Sequence, residues 1–423
     1  LLYSVIRTIP PTLEDAAAIH GASRLRVFCR VIFPLSLPGA VAVALTVFSL
    51  SMGAFAAPVL MGGGRVLTLP VLIYQTIFVE TKYATASTLA AILLFLVLLV
   101  NLGAGFLASA LTKKALHRHG SGGSAVVERL RRALQNRFPP ATKTLNRLFE
   151  RGAGVLSSIW ISVTYVLVFA PLVVIVGASF NGGYYRSGAV VFPPRNLSID
   201  WYLHTPWSHI HAFGISLALA FAATLLACII AIPTGLGLTR TSIAGREAIA
   251  ALFRIPLQIP VVIIGLSFFY TYYALYGLGI SIVGTFLSLV IAHFFILSPF
   301  VITSVTAVLQ RFDLKLEEAA ASLGASRWRT LRRVTLPVIM PGIFAGAVYA
   351  FMVSFGDVPI SLFLAGANTT PFPVEIFHSI EIDFDARVLS SSTIAMAFGL
   401  VLLLIVQKLV GIDRFARTQA GAN

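Results

Sequence analysis

Eight stretches of this 423-residue chain run for 18 residues or more without a single Asp, Glu, Lys or Arg. They cover 35–60, 84–111, 155–180, 212–238, 255–278, 280–309, 338–355 and 389–406. A helix needs roughly 20 predominantly apolar residues to cross about 30 Å of hydrocarbon, where every backbone N–H and C=O must be satisfied within the segment. The runs therefore predict an all-α polytopic membrane protein with about eight transmembrane helices. Composition agrees, since only 11% of the residues are charged, against roughly 25% in a soluble chain. Gly and Pro inside several runs (Pro171, Pro233, Pro256, Pro260, Pro299) are compatible with membrane helices whose neighbours re-satisfy the freed backbone groups.

The excess of 31 Lys and Arg over 16 Asp and Glu, a formal net charge of +15, fits either a nucleic-acid partner or one face of a membrane. Placement decides between them. Segments 1–34, 112–152, 239–254, 310–334 and 407–423 hold 26 of the 31 basic residues, and the alternate segments 61–83, 180–211 and 356–388 hold five. By the positive-inside rule the first set, the C-terminus included, is cytoplasmic. The expected partner is the lipid bilayer and no nucleic acid. Cys29 and Cys228 are too few for a disulfide scaffold, and no C-x-x-C or Cys/His cluster offers a metal site, so neither metal nor cofactor is expected.

One internal repeat is pronounced. Glu14-Asp-Ala-Ala-Ala-Ile-His-Gly-Ala-Ser-Arg, running on to Pro34 and Pro38-Gly39, recurs as Glu317-Glu-Ala-Ala-Ala-Ser-Leu-Gly-Ala-Ser-Arg, on to Pro337 and Pro341-Gly342. At a constant offset of 303, fourteen of the twenty-six positions from 14 to 39 are identical. The register continues without a gap through Phe48/Phe351, Gly53/Gly356, Gly63/Gly366, Pro70/Pro373 and Ile77/Ile380. The second copy has four runs before its Glu-Ala-Ala segment and two after it; the first has none before and two after. Under the repeat, about 150 further residues are expected ahead of Leu1, so that the chain is read as N-terminally incomplete. The domain reading is then 1–111, the last two spans of a first six-helix bundle with their Glu-Ala-Ala segment; 112–152, a basic cytoplasmic linker; and 153–423, a complete six-span bundle. The linker carries Gly120-Ser-Gly-Gly-Ser and Pro139-Pro140, with an amphipathic helix expected around 126–138.

The pattern Glu-Ala-Ala, three residues, Gly, nine residues, Ile-x-Leu-Pro resembles the cytoplasmic signature of importer-type ATP-binding-cassette permeases, the membrane subunits of binding-protein-dependent uptake systems. The second copy reads Glu318-Ala319-Ala320, Gly324, Val334-Thr-Leu336-Pro337; the first reads Asp15-Ala16-Ala17, Gly21, Val31-Ile-Phe33-Pro34. Val replaces Ile in both, and Asp15 and Phe33 depart conservatively in the first. Consecutive alanines give a thin, strongly helical face, and an acidic residue near the helix start complements its dipole. Gly21 and Gly324 allow a sharp turn. The resemblance implies that Glu14, Asp15, Ala16, Ala17, Gly21 and Pro34, with Glu317, Glu318, Ala319, Ala320, Gly324 and Pro337, form two ball joints seated in separate cytoplasmic ATP-binding subunits, two in number. No G-x-x-x-x-G-K-[ST] occurs in the chain, so hydrolysis is expected to reside in those partners and not here. For Arg24, Arg26, Arg30, Arg327, Arg329, Arg332 and Arg333, contacts to ATPase or lipid and a solvated cytoplasmic face are equally good readings.

Phe351-Met-Val-Ser-Phe-Gly-Asp357-Val-Pro-Ile-Ser, Pro373-Val-Glu375-Ile-Phe, Ser179-Phe-Asn181 and Trp201-Tyr202 resemble the spermidine/putrescine branch of that family, and Leu60-Met-Gly-Gly-Gly-Arg65 its companion permease. That resemblance implies a bacterial inner-membrane location, a solute-binding protein outside the membrane, and a polyamine or similar small cation as substrate, with ferric iron or another small solute as the alternative. Segment 356–388 carries Asp357, Glu375, Glu381, Asp383 and Asp385 against Arg387 alone, an acidic rim that would concentrate a cation. The same bias follows if Lys and Arg are simply held inside. Asp357 and Glu375 are the candidate pathway carboxylates. Tyr273, among Tyr270, Tyr272 and Tyr276, is a candidate for cation–π contact or a member of an interfacial aromatic belt. His293, near mid-run, either faces the pathway or packs in the bundle. A secondary transporter would not need the duplicated segment. An intramembrane enzyme would need a catalytic pair at membrane depth, such as Ser with His or two Asp, and no such pair is expected inside these runs.

Overall fold

The computed structural model describes residues 6, 9–19, 27–62, 65–117, 143–182, 190–241, 244–381 and 387–410. Among them every extended regular element is helical, and strand-like pairing is confined to two isolated bridges, Asn181 with Leu197 and Gly284 with Ala365. The longer helices in chain order are α1 (Pro11–Ile19), α2 (Phe33–Met52), α3 (Ala56–Gly62), α4 (Leu69–Phe78), α5 (Tyr83–His117), α6 (Lys143–Ser179) and α7 (Trp207–Arg240). They continue with α8 (Val261–Gly277), α9 (Phe286–Leu309), α10 (Lys315–Ser322), α11 (Leu336–Phe355), α12 (Pro359–Leu364), α13 (Phe372–Glu381) and α14 (Arg387–Val410).

Each of the eight apolar runs is helical over most of its length, so the all-α polytopic fold expected from them is the fold observed. Among the described residues six stretches are long and apolar enough to cross a membrane: Tyr83–Gly103, Gly154–Ser179, Trp207–Arg240, Phe286–Leu309, Arg327–Phe355 and Arg387–Ile405. The run at 35–60 is divided between α2 and α3 by a break at 53–55. The run at 255–278 yields an α8 of only 17 residues, because Pro256 opens a 3-10 turn and Pro260 is extended, delaying the regular helix.

The repeat is reproduced element by element. At offset 303, α2 and α11 share the same bounds, as do α4 and α13. Each copy also enters its span through a five-residue π-helical turn, Phe28–Ile32 and Leu331–Thr335. The backbone N–H groups of Phe33 and Leu336 reach five residues back, to Phe28 and Leu331. These widened turns end two residues before Pro34 and Pro337, whose rings would press on the carbonyl four residues earlier in a regular helix. Wide single turns of this kind are frequent at functional sites.

The chain divides into two compact units, residues 1–52 with 91–173, and residues 53–90 with 174–423. In the first, Leu156, Trp160 and Leu167 of α6 are exposed, as befits a helix facing lipid. In the second, α7, α9 and α11 form the core. Lipid tails give apolar helices no water-driven reason to associate, so close contact between small residues must supply the dispersion energy. Ala220, Ala223, Ala227 and Ala231, spaced by three and four, are fully buried along α7. Gly342 and Gly346, four apart on α11, meet Val301, Ser304 and Val308 of α9, and the Ser304 hydroxyl donates to the Gly342 carbonyl at 2.7 Å. A Cβ at Gly346 would lie 2.8 Å from the Ser304 Cβ and 3.3 Å from the Val301 Cα; one at Gly342 would overlap a Val308 methyl. Gly346→Leu is therefore expected to destabilise the bundle by about 1–3 kcal/mol through overpacking. Thermal unfolding in detergent checks this, and an unchanged midpoint would refute the close approach.

Candidate functional site

The second Glu-Ala-Ala segment is built as a short helix with a defined stop. Asp313 accepts the Lys315 N–H at 3.0 Å, and Glu317 and Glu318 occupy the first turn of α10, where they complement the helix dipole. No residue of α10 is buried. The helix ends at Gly324 with φ +77°, where the Gly324 N–H meets the Ala321 carbonyl at 2.9 Å and the Ala325 N–H meets the Ala320 carbonyl at 3.0 Å. This pair of bonds is a Schellman cap, which satisfies carbonyls that the helix end would otherwise leave open. Ser326 then accepts the Arg329 N–H and starts the short turn Arg327–Thr330, ahead of the π turn and Pro337 at the start of α11. Leu323 is 89% and Trp328 69% exposed, so the turn carries two large apolar side chains outward.

Glu317 faces its own chain. Its Oε2 accepts from Arg240 Nη1 at 2.6 Å and its Oε1 from the Thr335 hydroxyl at 2.5 Å. The Arg240 guanidinium lies 4.9 Å above the Phe312 ring centroid. A cavity of about 430 Å³ opens beside this group, lined in part by Glu318, Ala321, Arg327 and Leu331. In the first copy α1 displays Glu14, Asp15 and Ala16 as exposed residues and Ala17 as half-buried, with Ile19 84% exposed. Pro34 falls in the first turn of α2. Gly21, Arg24, Arg26, the expected amphipathic helix at 126–138, and Asp383 and Asp385 lie outside the described residues.

A second polar group forms where α9, α11 and α12 meet. His293, fully buried, places Nδ1 2.8 Å from the Ser354 hydroxyl and Nε2 3.1 Å from the Ser361 hydroxyl. Its Nε2 also lies 3.7 Å from Asp357 Oδ2, which accepts the Ser361 N–H at 3.0 Å and so anchors the start of α12. Asp357 follows the end of its span, and burial pushes its carboxyl up to about 6 against the opposing pull of the Ser361 and Ile360 hydrogen bonds. His293 and Ser354, both inside apolar runs, thus pair among the described residues, contrary to the expectation that no such pair falls inside them; the contact joins side chains 61 residues apart in sequence. His293 and Ser361 are sealed and Ser354 nearly so, and both imidazole nitrogens are engaged, so the group acts as a tie between helices.

Tyr273, 51% exposed, packs on Phe269 at 4.6 Å between ring centroids. Its neighbours are employed in packing: Tyr270 donates to the Tyr83 carbonyl and buried Tyr272 to the Ser288 carbonyl. Glu375 is half-buried in the first turn of α13. On the same helix Glu381 hydrogen-bonds Tyr74 of α4, and Tyr74 contacts Phe377, its own equivalent at offset 303, at 6.5 Å between ring centroids. Sequence reading missed Arg240, Thr335, Ser354 and Ser361. Ser354 repeats as Ser51, but Ala54 and Pro58 stand where the second copy has Asp357 and Ser361, so the repeat gave no signal for that group.

An all-helical, multi-pass membrane fold with a duplicated Glu-Ala-Ala-Gly segment defines a permease-type transport subunit. The chain belongs to the binding-protein-dependent transport system inner membrane component family, whose pattern matches residues 1–116 and 227–411. It is accordingly a multi-pass inner-membrane permease component of an ATP-binding-cassette importer. It is 28% identical over 265 residues to the spermidine/putrescine transport system permease protein PotC of Haemophilus influenzae, covering 62% of this chain and 97% of that protein. It is 30% identical to the putrescine transport system permease protein PotI of Escherichia coli, covering 56% of this chain and 84% of that one. The molybdenum transport system permease protein ModB of Mycobacterium bovis is 31% identical, covering 53% and 85%. Among solved structures, a bacterial ABC transporter involved in the import of the acidic polysaccharide alginate aligns with a TM-score of 0.49 at 17% identity, covering 65% of this chain and 99% of that one.

Proposed function

We propose that this permease lines the translocation pathway of a polyamine or similar small-cation importer and is driven by two separate cytoplasmic ATPase subunits through its two Glu-Ala-Ala-Gly segments. It hydrolyses nothing itself. In this reading residues 1–111 and 153–423 belong to two pseudo-symmetric bundles joined by the linker 112–152, with both segments, the linker and the C-terminus on the cytoplasmic side. A solute-binding protein delivers substrate from the opposite face. The observation that carries the coupling role is the α10 turn: a helix with no buried residue, stopped at Gly324, that holds Leu323 and Trp328 out from the chain. An apolar, thin-faced helical turn of this kind fits a groove on a partner.

For the pathway, Glu375 is the candidate carboxylate and Tyr273 the candidate aromatic face, each a group that an ammonium ion favours. Asp357 and His293 would join them only in a state that opens their mutual contacts. The polyamine assignment draws on the names of PotC and PotI, and the comparable identity to ModB makes an oxyanion the competitor to exclude. The deciding experiment is ATP-dependent uptake of labelled spermidine by the full-length permease assembled with its ATPase and binding protein. Competition by unlabelled polyamine but not by molybdate, ferric ion or amino acids supports the assignment. Uptake of molybdate in place of spermidine would overturn it.

A further inference from the structure

We infer that Arg240, Glu317 and Thr335 form a transmission clamp that fixes the Glu-Ala-Ala helix to two membrane spans at once. Arg240 is the last residue of α7, Glu317 belongs to α10, and Thr335 closes the π turn leading into α11. An eight-residue helix is not stable in water by propensity alone, and α10 buries no side chain, so its attitude depends on a few specific contacts. Both oxygens of one carboxylate are spent on those contacts, at 2.6 Å and 2.5 Å. The Arg240 and Glu317 side chains are only 20% and 27% exposed, which strengthens a charge-assisted bond relative to a fully solvated pair. Phe312 beneath the guanidinium limits its rotation. A displacement of α10 is therefore passed to α7 and α11 together, while Glu318, Leu323 and Trp328 stay exposed for a partner. The first copy keeps the carboxylate as Glu14 but has Ile32 at the position of Thr335, so the hydroxyl arm belongs to the second copy.

The clamp rests on the coupling reading above, and the test separates the two. Arg240→Glu, Glu317→Arg and the double exchange are made in the full-length permease assembled with its ATPase and binding protein in liposomes. Each single variant should lose uptake by about tenfold or more, as expected when one partner of a desolvated pair is reversed. In Arg240→Glu, which lies outside the Glu-Ala-Ala segment, ATP hydrolysis and the amount of assembled complex should change by less than about twofold, a split that general misfolding would not produce. The double exchange should regain most of the lost uptake. In the purified permease without partners, backbone hydrogen exchange over 315–323 should rise by about tenfold in Arg240→Glu and fall back in the double variant. Unchanged exchange in the single variant, or a double variant no better than either single one, would overturn the clamp. Raised exchange with unaltered uptake would leave the tie standing as a contact but overturn its role in transmission. Failure of the coupling reading itself shows differently, as intact uptake when Gly324 is replaced.

Discussion

Gly324→Val should lower ATP-driven uptake about 5- to 30-fold, the population change that corresponds to roughly 1–2 kcal/mol of left-handed backbone strain. ATP hydrolysis by the assembled complex and the yield of folded permease should stay within about twofold. The reason is conformational and not steric: φ at Gly324 is +77°, and a Cβ built there would meet no atom within 4 Å. Valine fits the space but not the dihedral, since its branched Cβ is the least tolerant of that region. The cost is met locally, because α10 has no buried residue whose packing would resist a change in the exit direction of the chain. The Schellman bonds from Gly324 and Ala325 to Ala321 and Ala320 would be lost together. A graded series follows from the same physics. Gly324→Asn, which tolerates the left-handed region, should retain most uptake; Gly324→Ala should be intermediate; Gly324→Val should be lowest. Uptake and hydrolysis measured side by side on the three variants check the order, and equal uptake for Asn and Val would rule out the dihedral as cause.

Much of this was legible in the sequence for definite reasons. Spans are written in one dimension: a charge-free run long enough for the bilayer must be helical, so α5, α6, α7, α9, α11 and α14 follow from composition alone. Gly324 was legible because a helix stop with positive φ calls for one residue type, and the Schellman cap is where the pattern placed it. The gap-free offset of 303 translated directly into matching helix bounds, since local structure depends on local sequence. The ties between helices were not legible. Arg240 reads as one more basic residue on the positive side, and nothing local marks it as the partner of Glu317, 77 residues away. His293 shows the same limit: its serines lie 61 and 68 residues on, in a chain where serine is common and weakly informative. His209, held by Ser391 at 2.8 Å and Ser379 at 3.2 Å, repeats the device across still longer separations, and no pattern pointed to it.

His293→Leu should lower the stability of this bundle by about 2–4 kcal/mol, as the sum of two lost hydrogen bonds and a carboxylate left without its imidazole neighbour. Leucine is close to histidine in volume, so the change tests the polar contacts and not the packing. In the native arrangement both imidazole nitrogens are used whichever tautomer is present, because each serine hydroxyl can donate or accept. Removing the ring leaves Ser354 and Ser361 to find partners on their own helices and Asp357 with its hydrogen bonds to Ser361 and Ile360. The asymmetry between losing one partner and losing both gives the control: His293→Leu combined with Ser354→Ala and Ser361→Ala should be more stable than His293→Leu alone. His293→Gln, which keeps a donor and an acceptor, should fall between wild type and leucine. Thermal unfolding in detergent reads all of these as a midpoint lowered by about 5 °C or more for leucine, with the triple variant recovering part of it. Should His293→Leu unfold at the native midpoint, the tie would contribute nothing to holding α12 against α9 and α11, and Asp357 would be free to serve the pathway without that contact having to open.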